Sequence, residues 1–342
     1  MELTKIDGAF GEGGGQIVRS AVTLSCLTQK PIEIVNIRKN RKVPGLRPQH
    51  LTGIKILARI CNAKVEGLSV GSTTIRFFPS KIVDTQLKED VGTAGSIPLI
   101  LQILIPSVSV SKKRLKISII GGTDVLWSPT SDYTKIVLRE AYARLGINFC
   151  VDIKRRGYYP RGGGIVDVEI FPREKIIPFS LLKRTSKSVN LLCTYSGISS
   201  HLIEQEANEV RNILLNNGFD YNYQVKQESA YDKGCSFLLY TYDENCVIGS
   251  DAINGKDVKG LGKFVATRFL ESDLGVDQFL SDMLVIPMCL TNGKSVFRVN
   301  QITKHLETNL FVTTEILDCK YGLGKIENGF EVRIDGNSDA SI

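Results

Sequence analysis

Apolar residues near the start of the chain recur at the spacing of one helix face. Ile17, Val18, Ala21, Val22, Leu24 and Leu27 lie three or four positions apart, which predicts a helix from about Gln16. A strand is expected over 32–37 and a second helix over 49–61, with Leu51, Ile54, Ile56, Leu57 and Ile60 as its apolar positions. A short strand around Lys5 to Gly8 precedes them and two more, 63–66 and 73–79, follow. The order is β-α-β-α-β-β.

That order returns twice without any residue-level period. The second run is a strand over 83–89, a helix over 96–105, a strand over 115–119, a helix over 131–145, and closing strands over 147–154 and 165–171. The third is a helix over 278–290, a strand over 295–299, a helix over 304–316, and a hairpin over 320–325 and 329–334. Between them lies a different pattern: a strand over 189–195, a helix over 201–216, three strands between 221 and 251, and a helix over 257–270. Val258, Leu261, Phe264, Val265 and Phe269 are expected on one face of that last helix. The expected fold class is α/β (α+β): a large domain of repeated units over 1–186 and 274–336, and a smaller α/β domain inserted over 187–273. The polar tail over 337–342 is expected to be disordered.

Composition adds little beyond class. The 342 residues are 42% hydrophobic and 23% charged, as in ordinary globular proteins. No apolar run approaches the roughly 20 residues of a membrane span, and the N-terminal residues lack a signal-peptide core. A soluble cytoplasmic protein with no membrane partner is expected. The eight cysteines are scattered, with no C-x-x-C and no nearby histidine, so all are read as buried thiols in a reducing compartment.

Charge is more informative. Between Glu33 and Glu66 there is no acidic residue, while Arg38, Lys39, Arg41, Lys42, Arg47, Lys55, Arg59 and Lys64 are basic, and the net charge of the whole chain is +7. Pro44, Gly45 and Pro48 stiffen this stretch, and Gln49 and His50 follow at once. Arginine forks suit phosphate oxygens, so the segment reads as a phosphate pocket or, more blandly, as a solvated basic face. Upstream, the Gly-rich turn G-E-G-G-G before the first helix could bring backbone N–H groups to an anion or could be only a turn. Glu12, among those glycines, suits a divalent cation better than a phosphate. Arg19 lies one helical turn after Gln16, on the same side.

Three histidines are present. His201 reads as a surface or capping residue, His50 as an anion contact, and His305 as a helix-start residue whose imidazole the helix dipole biases toward the neutral, nucleophilic form. Asp124, Trp127, Ser128 and Asp132 occupy a strand-to-helix connection of the kind that often binds ligands. Gln102 and Asp282 are polar positions in otherwise apolar helices, and each must find a partner or face a cavity.

The segments G-E-G-G-G-Q-I-V-R-S-A, R-K-V-P-G-L-R-P-Q-H-L, G-G-T-D-V-L-W-S-P-T-S-D-Y, Y-P-R-G-G-G and K-H-L-E-T-N together resemble the RNA 3′-terminal phosphate cyclase family over essentially the whole chain. The resemblance implies an ATP-dependent conversion of an RNA 3′-terminal phosphate to a 2′,3′-cyclic phosphodiester through a histidine–AMP intermediate. His305 would be the nucleophile. Gln102 and the segment Phe279, Leu280, Ser281, Asp282 and Met283 would contact ATP. Arg19, Arg38, Arg41, Gln49 and His50 would handle RNA phosphate, and Glu12 a divalent cation, Mg²⁺ or Mn²⁺. The sequence departs from the family in having Met283 where glutamine is common, which puts one adenylate contact in doubt. A non-catalytic relative that serves as an RNA-associated scaffold in ribosome assembly is the alternative, and the intact K-H-L-E-T-N histidine and basic loop argue against it. Enolpyruvyl transferases have a similar repeated unit but need neither a nucleophilic histidine nor ATP.

Overall fold

The computed structural model describes residues 3–83, 85–173, 175–254 and 257–336. The expected disordered tail lies outside the described residues, as does position 84 of the strand expected over 83–89.

The first unit comprises β1 (Thr4–Asp7), α1 (Gln16–Thr28), β2 (Ile32–Val35), α2 (Pro48–Ile60), β3 (Lys64–Glu66) and β4 (Ile75–Phe78). Its sheet has the order β1-β2-β4-β3, with β1 parallel to β2 and the other neighbours antiparallel. The second unit contains β5 (Thr85–Asp90), α3 (Ile97–Val110), β6 (Leu115–Gly121), α4 (Ser131–Tyr133), a π turn (Thr134–Leu138), α5 (Arg139–Arg144), β7 (Phe149–Arg155) and β8 (Gly164–Ile170). Its order, β5-β6-β8-β7, has the same senses.

After β9 (Ser180–Leu181) the chain departs into β10 (Ser188–Ser196), α6 (Ser200–Asn216), β11 (Asp220–Gln227), β12 (Gly234–Asp243), β13 (Cys246–Asn254) and α7 (Leu261–Leu270). It returns through α8 (Gln278–Cys289), β14 (Gly293–Val299), α9 (Lys304–Leu317), β15 (Lys320–Ile326) and β16 (Gly329–Gly336). β9 runs parallel to β14, and the third sheet again has this arrangement, β9-β14-β16-β15. The two-residue β9 was not anticipated, because two positions cannot display a period. The departing segment forms its own sheet, β11-β10-β12-β13.

Alternation decides which strand face is buried: in β6, Leu115, Ile117, Ile119 and Gly121 point inward. Every residue of α1 is buried, because α3 packs on one side of it and α9 on another. One apolar cluster joins the helices of all three units, and a second runs from Val189 to Phe269 in the departing segment. Each fully buried Val, Leu or Ile contributes about 1.5–3 kcal/mol.

Three local expectations need correction. The helix expected over 96–105 continues past Pro106 to Val110, since burial of a largely apolar helix outweighs the lost backbone bond. The helix expected over 257–270 begins only at Leu261, after Gly260 in a left-handed conformation. Glu206 of α6 sets that start by accepting hydrogen bonds from the backbone of Gly260 and Gly262. The buried face is consequently Leu261, Val265, Ala266 and Phe269, which leaves Phe264 exposed. Nor are all cysteines buried thiols: Cys289 and Cys319 form a disulfide and Cys150 is exposed. α8 and α9 lie side by side, which brings their last residues together. No helix of the described residues is long and apolar enough to cross a membrane.

The deepest charge cluster joins the second unit to the departing segment. Arg156 is buried, and its three nitrogens meet Asp124 at 3.1 Å, Asp132 at 2.7 Å and Glu228 at 2.6 Å. Burial pushes the Asp132 carboxyl up to about 6, against the pull of Arg156. Asp124 and Asp132, expected at a ligand site, are thereby spent on a structural cluster, while Trp127 points to solvent and Ser128 Oγ donates to the Val125 carbonyl. Arg156→Met should destabilise the protein by about 3–5 kcal/mol, because it strands buried carboxylates. Urea denaturation reads this as a lower midpoint, and an unchanged midpoint would mean that the cluster holds nothing together.

Candidate active site

The site forms where the glycine turn before α1 meets the first turns of α2 and α9. At Gly15 a side chain would collide with His50 Nε2, so the close approach of turn and α2 needs glycine there. α2 starts at Pro48, with its Arg47 backbone N–H donating to His50 Nδ1 at 3.1 Å. α9 is capped by Thr303, whose hydroxyl accepts from the Leu306 N–H at 3.0 Å. That cap places His305 in the first turn.

His305 stands between two carboxylates. Its Nε2 is in contact with Glu12, and its Nδ1 lies 3.7 Å from Asp282 Oδ2. Desolvation lowers the imidazole pKa, Asp282 opposes this, and Arg19 and Arg41 reinforce it. The ring is therefore neutral at pH 7, although 43% of the side chain is exposed to solvent. Glu12 also pairs with Arg41. Arg19 lies deep beside Asp282 and donates to Gln16 Oε1.

A small cavity opens next to His305, lined by Gln16, Arg19, Gln102, Tyr142, Asp282 and Met283. Gln102 Oε1 is buried there without a hydrogen-bond partner, which costs about 1–3 kcal/mol unless a ligand or water satisfies it. Burial lowers the Arg19 pKa to about 10 and raises that of Asp282 to about 6, the latter opposed by His305 and Arg19. Asn309, one turn after His305, holds the walls together. Its Nδ2 donates to the Asp282 carbonyl at 2.6 Å, and its Oδ1 accepts from Gln16 Nε2 at 3.0 Å and from Ser20 Oγ.

The 279–283 segment divides by helical geometry. Asp282 and Met283 line the cavity and Phe279 is partly exposed beneath Arg268, whose guanidinium lies 4.8 Å from the ring centre. Leu280 is buried in the apolar core and Ser281 Oγ donates to Gln278 O, so neither faces the cavity. Asp277, which sequence reading passed over, orients the whole helix. Its carboxylate caps the N–H groups of Phe279 and Leu280 and also accepts from Tyr133 Oη and from Gly249 N of β13.

Of the residues expected at phosphate, Arg38 donates from Nη1 to the carbonyls of Val43 and Gly45, at 3.0 and 3.1 Å, and so folds the basic loop onto itself. Gln49 Oε1 accepts from Ser96 N at 3.2 Å. His50 has its pKa lowered to about 3 by burial and then by Arg19, Arg38 and Arg47. It is neutral, and because Nδ1 accepts, its proton is on Nε2. His201 is exposed on α6 and takes no part. Asn309 and Asp277 could have been suspected, the first from its four-residue offset to His305 and the second from its position before α8. Among the described residues no group of three or more His, Cys, Asp or Glu is disposed to hold a metal ion. Glu12 Oε2 is nonetheless buried and makes no hydrogen bond, although it touches His305.

Fold and site together define the class: a mixed α/β protein built from recurring four-stranded units, with a neutral histidine held between carboxylates beside several arginines. Comparison with known proteins supplies the family. The model of the family described as RNA 3′-terminal phosphate cyclase matches residues 10–323. A protein of that name from Methanococcoides burtonii is 39% identical over 94% of this chain and 97% of its own length. Those from Methanosarcina acetivorans and Pyrococcus furiosus are each 36% identical, over 97% and 96% of this chain and 100% and 98% of theirs. The chain belongs to the RNA 3′-terminal phosphate cyclase family, a family of enzymes.

Asp282 makes a pH prediction independent of activity. Its folded pKa of about 6 exceeds its ordinary value of 3.8, so between those values the folded state binds more protons and stability falls as pH rises. Asp282→Asn removes that cost. The variant should match the parent near pH 4 and exceed it at pH 7 by on the order of 2–3 kcal/mol; equal urea midpoints at both pH values would refute the raised pKa.

Proposed function

We propose that this protein uses ATP to convert an RNA 3′-terminal phosphate to a 2′,3′-cyclic phosphodiester, with AMP carried on His305. The observation that carries the reading is the neutral His305 at the start of α9, with Nε2 toward the glycine turn and Nδ1 toward Asp282. For Nε2 to attack, its contact with Glu12 must open and the ring proton must sit on Nδ1, the nitrogen on the Asp282 side. Nε2 attacks the α-phosphorus, the bond to the bridging oxygen breaks, and pyrophosphate departs. An oxygen of the RNA 3′-phosphate then attacks the same phosphorus, breaking the N–P bond and forming a mixed anhydride. Finally the adjacent 2′-hydroxyl attacks the 3′-phosphorus, loses its proton, and expels AMP. The covalent stage divides one difficult encounter into easier ones.

Gln102, Asp282 and Met283 are assigned to the nucleotide, with Phe279 at the rim. Leu280 and Ser281 serve only to seat the helix. Arg19 shares the cavity with Gln102, so we assign it to ATP rather than to RNA. Met283 brings an apolar wall where an amide is usual, and the Met283 carbonyl is occupied by Tyr142 Oη at 2.9 Å. Arg38, Arg41, Gln49 and the Nε2–H of neutral His50 are assigned to the RNA phosphate. A divalent cation, Mg²⁺ or Mn²⁺, would offset phosphate repulsion, with Glu12 placed to help hold it. Residues 187–273 we treat as an inserted domain with its own core, and the cytoplasm as the site of action.

Incubation with ATP labelled at the α-phosphate tests the nucleophile. Wild type should become labelled through an acid-labile bond and His305→Ala should not, with an unchanged circular dichroism spectrum. Equal labelling of the variant sinks the assignment. Arg41→Ala should keep self-labelling but lose about 1.5–3 kcal/mol in kcat/KM for 3′-phosphorylated RNA. A parallel loss of labelling would move Arg41 to the triphosphate.

A further inference from the structure

The surface beside Gln49 carries aromatic side chains that the chemistry above does not use. Trp127 is 96% exposed, the neighbouring Leu126 69%, and Tyr159, in the β7–β8 hairpin, 76%. A tryptophan and a tyrosine this open are free to be covered by a ligand. Trp127 also has φ 67°, a left-handed conformation that bulky residues seldom adopt.

These rings continue the proposed phosphate site through a short run of backbone contacts. Gln49 Oε1 accepts from Ser96 N, Gly122 N donates to Gly95 O at 2.9 Å, and Thr123 N donates to Gly157 O at 2.9 Å. Leu126 and Trp127 follow Thr123 by three and four residues, and Tyr159 follows Gly157 by two. Next to the hairpin, Arg155 and Arg161 lie over the Tyr231 ring, 4.0 and 5.6 Å from its centre. Exposed flat rings near guanidinium groups suit unpaired nucleobases and their phosphates.

We propose that Trp127 and Tyr159 form a stacking platform for the unpaired nucleobases that precede the terminal phosphate of the RNA. The proposal rests on the reading of the site as one for RNA 3′ ends. Stacking tolerates any base, so the platform sets a preference for a single-stranded end of several nucleotides and not for a sequence. It also holds the terminal phosphate in place while the adenylyl group is transferred.

Trp127 is the one tryptophan in the chain, so intrinsic fluorescence reports on it directly. Titration with a single-stranded 3′-phosphorylated octaribonucleotide should quench its emission to saturation, whereas a nucleoside 3′-phosphate should change it little. The Trp127→Ala, Tyr159→Ala double variant should raise KM for the octamer by at least roughly 5-fold, the effect of one lost stack at the weak end of the range. KM for the nucleoside 3′-phosphate and self-labelling by α-labelled ATP should stay as they are, and Trp127→Phe should recover most of the octamer KM. Emission unmoved by octamer, or an unchanged octamer KM in the double variant, overturns the platform and leaves the rings to a protein partner. Absence of self-labelling in wild type would instead defeat the proposed function, and the fluorescence titration would still decide whether RNA covers Trp127.

Discussion

Burial of charge next to His305 is the constraint around which the rest of the molecule is arranged. Arg19 and Asp282 are both withdrawn from water, and burial disfavours the charged form of each in spite of the other's pull. They face one another across the small cavity, and Asn309 ties the helices that carry them into one frame. Because Asn309 bonds both to α1 and to the backbone of α8, α9 cannot shift without breaking buried hydrogen bonds. The rigidity of that frame is what lets a half-exposed histidine keep a defined orientation between two carboxylates.

The same logic extends outward through Asp277 and Arg156. Asp277 satisfies the start of α8, the Tyr133 hydroxyl and the Gly249 N–H with a single carboxylate, so the segment after β9 is anchored to the helix that carries Asp282. Arg156 binds the loop after β6 to Glu228 just beyond β11. Polar groups thus make the joints between units that apolar packing alone would leave free to slide. Their directionality fixes orientation, whereas apolar contact fixes only proximity.

Much of this architecture was legible in residue spacing. The periods of α2 and α9 and the alternation of β6 and β8 follow from burial of one face, which is a local property, whereas α1 is buried on every side. β9 was invisible because it is two residues long, and the start of α7 because Glu206, more than fifty residues upstream, caps it. Leu280 and Ser281 were grouped with Asp282 as a segment, although a helix turns consecutive positions to different sides. The acids at 124 and 132 looked available for a ligand because nothing nearby in sequence neutralises them. Arg156 does so from just beyond β7.

The sequence by itself determined most of the element order, the basic loop and the helix-start histidine, since each depends on neighbours within a few residues. Only the tertiary structure decided that Glu12 meets Arg41 and His305, that Arg19 sits with Asp282, and that Cys289 finds Cys319. Ion pairs, cavities and disulfides are matters of distance between side chains remote in sequence. Distance is set by how the helices pack, and no local period records it.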